Sequence, residues 1–190
     1  MKNKILLSTL ITGVVLGLSA CGGGGDGDSG TVNAGEKYAG TWKGDCEFEG
    51  TRSFKQTWVL KEDGSLTNTI PVWDTNTTCT GTPRGPAVAT ATLTYKNEID
   101  VPNTCADGKA QEVDIIFTKV DVGSFGIFEG DDTIRTVLLS QGLSFPKHDI
   151  ICINKDNNSD LHTGDASGEN DGSTPEKRPK EVKPAKSFSK

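Results

Sequence analysis

The chain has 190 residues, 33% of them hydrophobic and 24% charged, with a formal net charge of −6. This acidic balance excludes the basic surface that phosphate backbones require, and so argues against nucleic acid as a partner. Beyond one N-terminal stretch, no apolar run approaches the roughly 20 residues that cross a bilayer as a helix.

Lys2 and Lys4 open the chain, and residues 5–18 are apolar apart from Ser8, Thr9 and glycines. That run is too short for a transmembrane helix and has the form of a signal-peptide core. Leu18-Ser19-Ala20-Cys21 follows directly. This element resembles the lipobox of bacterial lipoproteins, in which a signal peptidase cuts before the cysteine and the cysteine carries the lipid. The resemblance implies a signal peptide over residues 1–20, lipidation of Cys21, and the membrane as a partner through that lipid. The family adds a diacylglyceryl group and usually an N-acyl chain such as palmitate. Each buried methylene contributes about 0.8 kcal/mol, and more than one chain is needed for stable anchoring. Gly22 stands where Asp would favour the inner membrane, so similarity to Gram-negative lipoproteins implies outer-membrane localisation. Loss of Lys2 and Lys4 takes the mature charge to −8. Residues 22–30, GGGGDGDSG, read as a flexible tether within 21–35. The Lys-Ser/Thr ending of a phosphate-binding loop is absent.

Cys46, Cys79, Cys105 and Cys152 remain. An even number in an exported domain implies two disulfides, with three pairings open. Sequential pairing, Cys46–Cys79 and Cys105–Cys152, closes two moderate loops and is favoured. The spacings hold no C-x-x-C, which disfavours zinc, and no metal or other cofactor is expected.

Residues 36–154 read as one β domain. A first strand is expected over 38–48. A second spans 53–60, with Phe54, Trp58 and Leu60 on one face and Lys55 and Thr57 on the other. Glu62-Asp63-Gly64 is a hairpin turn, and residues 65–74 supply its partner strand, with an edge or bulge at Pro71. Residues 87–96 alternate Ala87, Ala89, Ala91, Leu93 and Tyr95 against Val88, Thr90, Thr92 and Thr94. Further strands fall at 112–120, 124–128, 133–140 and 149–154. About eight short strands with regular turns give an all-β antiparallel barrel or sandwich stapled by two disulfides. Residues 155–190 read as a polar loop and a Lys/Pro-rich C-terminal tail. Residues 174–190 carry a charge of +4, which reads first as a solvated terminal segment and second as a contact with anionic polymer or lipid headgroups. Phe188, the only aromatic residue after 154, is placed to tuck back onto the domain.

Gly40-Thr41-Trp42 resembles the G-x-W start of a lipocalin barrel, where Gly turns the chain into the barrel and Trp plugs the closed end. The resemblance implies a lipocalin-like barrel with a late Arg on the Trp, for which Arg135 and Arg178 are candidates. The family's Thr-Asp-Tyr element is missing. The wider pattern runs from Gly40 to Cys46, then Thr77-Thr78-Cys79-Thr80-Gly81-Thr82, behind a Gly-rich tether. It resembles small outer-membrane lipoproteins and implies no activity.

Catalytic motifs are wanting. Gly123-Ser124-Phe125-Gly126 falls one residue short of a nucleophile elbow. The two histidines, His148 and His162, lie in no nucleophile pattern and are expected in surface loops. Asp131-Asp132 reads as a turn. Asp156, Asn158 and Asp160 alternate like the start of a calcium loop, but Leu161 and Ser167 occupy the positions that need Gly and Glu. The expectation is a non-enzymatic lipoprotein. Its barrel would bind a small apolar or amphipathic ligand against Trp58, Trp73, Tyr95 and Phe117. The alternative is an interaction lipoprotein that contacts a protein partner or cell-surface polymer.

Overall fold

In the computed structural model the described residues are 34–74, 77–122, 127–130, 133, 146–166 and 169–190. The signal segment, Cys21 and the tether up to residue 33 lie outside them. So do residues 124–126 and 134–140 of two expected strands, Asp131-Asp132 and Arg135.

A short helix α1 (Ala34–Tyr38) leads into β1 (Gly40–Glu49), β2 (Arg52–Leu60), β3 (Ser65–Trp73), β4 (Arg84–Asp100), β5 (Lys109–Asp121) and β6 (Ile127–Glu129). Then come β7 (Lys147–Ile153), β8 (Asp160–Gly164) and β9 (Val182–Ser189). Tyr38 therefore ends a helix and does not open the first strand. All pairings are antiparallel. The ring runs β1-β2-β3-β4-β5-β7-β8-β9 and returns to β1 through Lys43 opposite Ser189 and Gly44 opposite Phe188. β6 adds to the far end of β5. The fold is a closed eight-stranded barrel with disulfides Cys46–Cys79 and Cys105–Cys152, the sequential pairing. Closure removes the open edges through which an antiparallel sheet would aggregate.

Alternation decides what faces inward. On β2 the buried set is Phe54, Gln56, Trp58 and Leu60, and on β3 it is Leu66, Asn68, Ile70 and Val72. On β4 the buried set is Ala87, Ala89, Ala91 and Leu93. The β3–β4 register shifts between Ile70 and Val72, the irregularity expected at Pro71. β5 contributes Val113, Ile115 and Phe117, and β7 and β8 contribute Ile151, Ile153 and Leu161. A satellite cluster of Val101, Cys105, Ala110, Ile150, Cys152 and Val182 packs on the outer face.

The stretch 155–190 departs from the sequence expectation. It is not a loop and tail, because it supplies β8 and β9, two of the eight ring strands. Few apolar residues advertise them. Phe188 packs inside against Trp58, with ring centroids 4.6 Å apart, and Val182 packs outside. Backbone pairing with β1 and β8 supplies the rest, and backbone pairing leaves no hydrophobic signature in sequence. Basic residues of the stretch are spent internally: Arg178 on Glu112, Lys177 on Asp171 and Lys183 on Asp165.

Candidate functional site in the barrel interior

Trp42, Trp58, Asn68, Ala89 and Val120 form one level of the interior, each the cross-strand partner of the next. Two large indoles thus face a wall made small by Ala89 and its neighbours Ala87 and Ala91. An eight-stranded barrel is just wide enough to fill with side chains or to hold one small ligand, so a run of alanines matters to the outcome. A polar group sits among these apolar walls. Gln56 Oε1 accepts from Asn68 Nδ2 at 3.0 Å and from Trp58 Nε1 at 3.3 Å. Asn68 is 2% exposed, and its Oδ1 meets no hydrogen-bond donor among the described residues. A buried acceptor left unpaired costs about 1–3 kcal/mol.

One end of the barrel is plugged. Gly40 adopts φ +150°, a conformation L side chains rarely take, and swings the chain from α1 into β1. Trp42 is fully buried, and its Nε1 donates to Tyr38 O at 2.9 Å. The cation over its ring is Lys190, 4.7 Å from the centroid. Arg178, one of the two arginines expected there, instead pairs with Glu112 on β5. Tyr38 stacks on Tyr95 at 6.2 Å between centroids, with planes 13° apart. Neither phenol oxygen has a partner among the described residues. Burial raises the Tyr38 phenol well above its usual range and pushes Tyr95 up to about 12.

Of the four expected wall residues, Trp58 and Phe117 are interior, and Tyr95 continues the inward face of β4 at the plugged end. Trp73 is a correction. The β3 alternation that turns Val72 inward turns Trp73 outward, where it is half-buried and donates from Nε1 to Gly81 O at 3.1 Å. Gln56 and Asn68 are interior residues the sequence reading missed. The signal was there, since both fall in the phase of apolar neighbours two residues away.

A second concentration of chemistry lies along β5 and β7. Every residue of β7 is buried. Lys147 and Asp149 stand opposite Ile115 and Val113, whereas His148 stands opposite Asp114. Asp149 Oδ1 accepts from Ile150 N at 2.5 Å and Gly164 N at 2.9 Å. Burial drives the Asp149 carboxyl well above the usual carboxylate range, against the pull of these donors, Lys147 and Arg178. Burial also lowers Lys147, whose Nζ donates to Asp171 O at 3.1 Å. Glu112 is raised by the same cause and opposed by Arg178 at 2.8 Å, with both side chains under a tenth exposed.

The histidines also correct the expectation, because both occupy buried strand positions. His148 Nδ1 lies 2.9 Å from Asp114 Oδ1, and Lys96 Nζ lies 3.2 Å from Oδ2 of the same carboxylate. His162 is 3% exposed, and neither ring nitrogen has a partner among the described residues. Perturbed groups mark reaction centres or structural ion networks. Here the charges fasten residues 171–178 onto β5 and β7, through Lys147 to Asp171 and Glu112 to Arg178. Residues 154–159 form two Asx turns: Asn154 Oδ1 accepts from Asp156 N and Asn157 Oδ1 from Ser159 N. Lys155 Nζ occupies both Asp156 oxygens. Among the described residues no cluster of three His, Cys, Asp or Glu side chains is arranged to hold a metal. Comparison with protein-family models, with curated proteins and with solved structures gave no match for this chain.

Proposed function

We propose that this chain is an exported lipoprotein, held in the outer membrane by lipid on Cys21, whose barrel binds one small amphipathic ligand and catalyses no reaction. The observation that carries the ligand reading is Asn68. Its Oδ1 is buried and unpartnered between Trp58 and Ala89, where a ligand hydroxyl or amide N–H would supply the missing donor. The apolar body of such a ligand would lie along the alanine wall of β4. Two disulfides mark an extracytoplasmic domain, which agrees with export. The Leu18-Ser19-Ala20-Cys21 element supports the anchor.

Native mass spectra of the mature chain from an oxidising periplasm test the binding. The expected result is one adduct per chain, shed on gentle activation and lost in Asn68→Leu or Ala89→Leu. A bare mass that takes up nothing from a total lipid extract overturns the reading. The anchor has its own test. Cys21→Ser is expected to lose incorporated palmitate label, and retained label refutes lipidation there.

A second reading rests on the outer face. Phe48 is 69% exposed, and with Ser53 and Trp73 it forms one cross-strand row over β1, β2 and β3. Exposed aromatics of this kind serve as anchors for a protein partner. In-cell cross-linking from position 48 that recovers one specific protein would favour this reading.

A further inference from the structure

The two disulfides differ in the properties that govern exchange. Cys105 and Cys152 are 1% and 0% exposed, sealed in the satellite cluster between β5, β7 and β9. Cys46 and Cys79 are half-buried on the outer surface, with Cys46 two residues from the exposed Phe48. Cys79 is also one of two non-glycine residues with positive φ among the described residues, at +51°. That left-handed conformation is sparsely populated for a residue with a Cβ and persists only where the surroundings impose it.

The two links also tie down different things. Cys105–Cys152 joins the β4–β5 connection to β7, beside an isolated bridge between Cys105 and Asn154. Cys46–Cys79 joins β1 to residues 77–83, which lie outside the ring. Those residues rest on the barrel through Cys79 N, donating to Ser53 Oγ at 3.2 Å, and through Gly81 O, accepting from Trp73. The ring closes through β1–β9 pairing and does not pass through this disulfide.

We propose that Cys46–Cys79 is a thiol–disulfide exchange site, opened by a dithiol while the barrel stays folded and Cys105–Cys152 stays oxidised. A thiolate of the dithiol attacks Cys46 Sγ, the more open sulfur. A mixed disulfide forms, and Cys79 leaves as a thiolate that takes up a proton. The second thiol of the reductant then attacks its own disulfide-bonded sulfur and releases Cys46. The protein gains two electrons and two protons, and the reductant becomes a disulfide. Opening frees residues 77–83 from Ser53 and relaxes Cys79. It bares Trp73, which lies in one cross-strand row with Phe48, and so enlarges the aromatic surface of β1–β3.

The test uses the mature chain with graded dithiothreitol in native buffer, trapping by iodoacetamide and peptide mapping. Cys46 and Cys79 are expected to carry the label at about tenfold less dithiothreitol than Cys105 and Cys152. Far-ultraviolet circular dichroism should stay unchanged, and tryptophan emission should shift to the red. The shift should vanish in Trp73→Phe, since Trp42 and Trp58 are buried. Opening of both disulfides at one dithiothreitol concentration overturns the proposal, as does opening only when the barrel unfolds. A Cys46→Ser/Cys79→Ser variant is expected to fold with Cys105–Cys152 formed. If it fails to fold, the link is structural and the proposal is wrong.

Discussion

The stacked tyrosines at the plugged end make a sharp prediction, because Tyr38 and Tyr95 are the only tyrosines in the chain. Ionising either phenol would put a negative charge in a buried stack. Burial is the main cause of both upward shifts. Glu98 acts next on Tyr38, and Asp63 acts next on Tyr95. Both folded-state pKa values exceed the unfolded value of 10.0. The unfolded chain therefore sheds these protons first. Their contribution is complete below pH 10 and is lost as pH climbs through the folded values. A tenfold change in the ionisation constant corresponds to about 1.4 kcal/mol. Tyr95 rises to about 12 and keeps some contact with water, so its share is about 2 kcal/mol. Tyr38 adds to this, and the sum is a large part of the roughly 5–15 kcal/mol typical of a domain. The assay is a spectroscopic titration in the phenolate band, followed in parallel by circular dichroism. The phenolate band should rise with its midpoint near pH 12, well above the ordinary 10.0, and ellipticity should fall over the same range. In Tyr95→Phe the phenolate amplitude should halve. Stability at neutral pH should hold within about 0.5 kcal/mol, because the lost hydroxyl had no partner to abandon. Phenolate appearing near pH 10 in a folded chain would refute the reasoning.

Three further perturbations separate the other contributions. Arg178→Met should cost about 3–5 kcal/mol in urea unfolding, since Glu112 is left charged and buried, while Glu112→Met/Arg178→Met should recover most of the loss. With Arg178 gone the Glu112 carboxyl moves further up. The single variant should therefore gain stability as pH falls, and no gain would disprove the pairing. Gly164→Ala should cost about 2–4 kcal/mol, because a Cβ there would lie 2.5 Å from Asp149 Oδ1 and 2.7 Å from Pro179 Cβ. Thermal melts that match the parent would show that Asp149 is held some other way. Trp42→Ala should cost about 3–5 kcal/mol from the lost indole. Lys190→Gln should cost less than about 1 kcal/mol, and equal losses in denaturant titrations would contradict the plug.

Strand identity was legible wherever a two-residue period ran through bulky residues. The inward faces of β2 and β4 were evident from Phe54, Trp58 and Leu60 and from Ala87 to Tyr95. Sequential disulfides followed from loop size. Aromatic character gives Trp73 no direction, and alternation through Val72 turns it outward. His148 and His162 belong to strands whose outer faces are covered by other parts of the chain, and cover from distant residues leaves no local mark. Asn68 was legible in phase but not in consequence, since only the fold shows that its oxygen faces no donor.

The strands that escaped notice also explain how so polar a chain closes a barrel. β9 reads VKPAKSFS, a sequence that local propensity assigns to a solvated tail. Its role needs little hydrophobicity. β1 and β8 each present one unpaired backbone edge until it arrives, and an open edge invites aggregation. Pairing satisfies both edges at once, and two apolar anchors hold it from opposite sides: Phe188 from the core and Val182 from the outer cluster. The segment that leads into β9 is then fixed by charge, through Arg178 on Glu112 and the main chain of Asp171 on Lys147. Those contacts bury ionisable groups, so the raised Glu112 carboxyl and the lowered Lys147 amine mark where the segment before the final strand is fastened. Lys147 and Glu112 thus help to close the barrel, and the unpartnered oxygen of Asn68 is the interior polar group that the proposed ligand would meet.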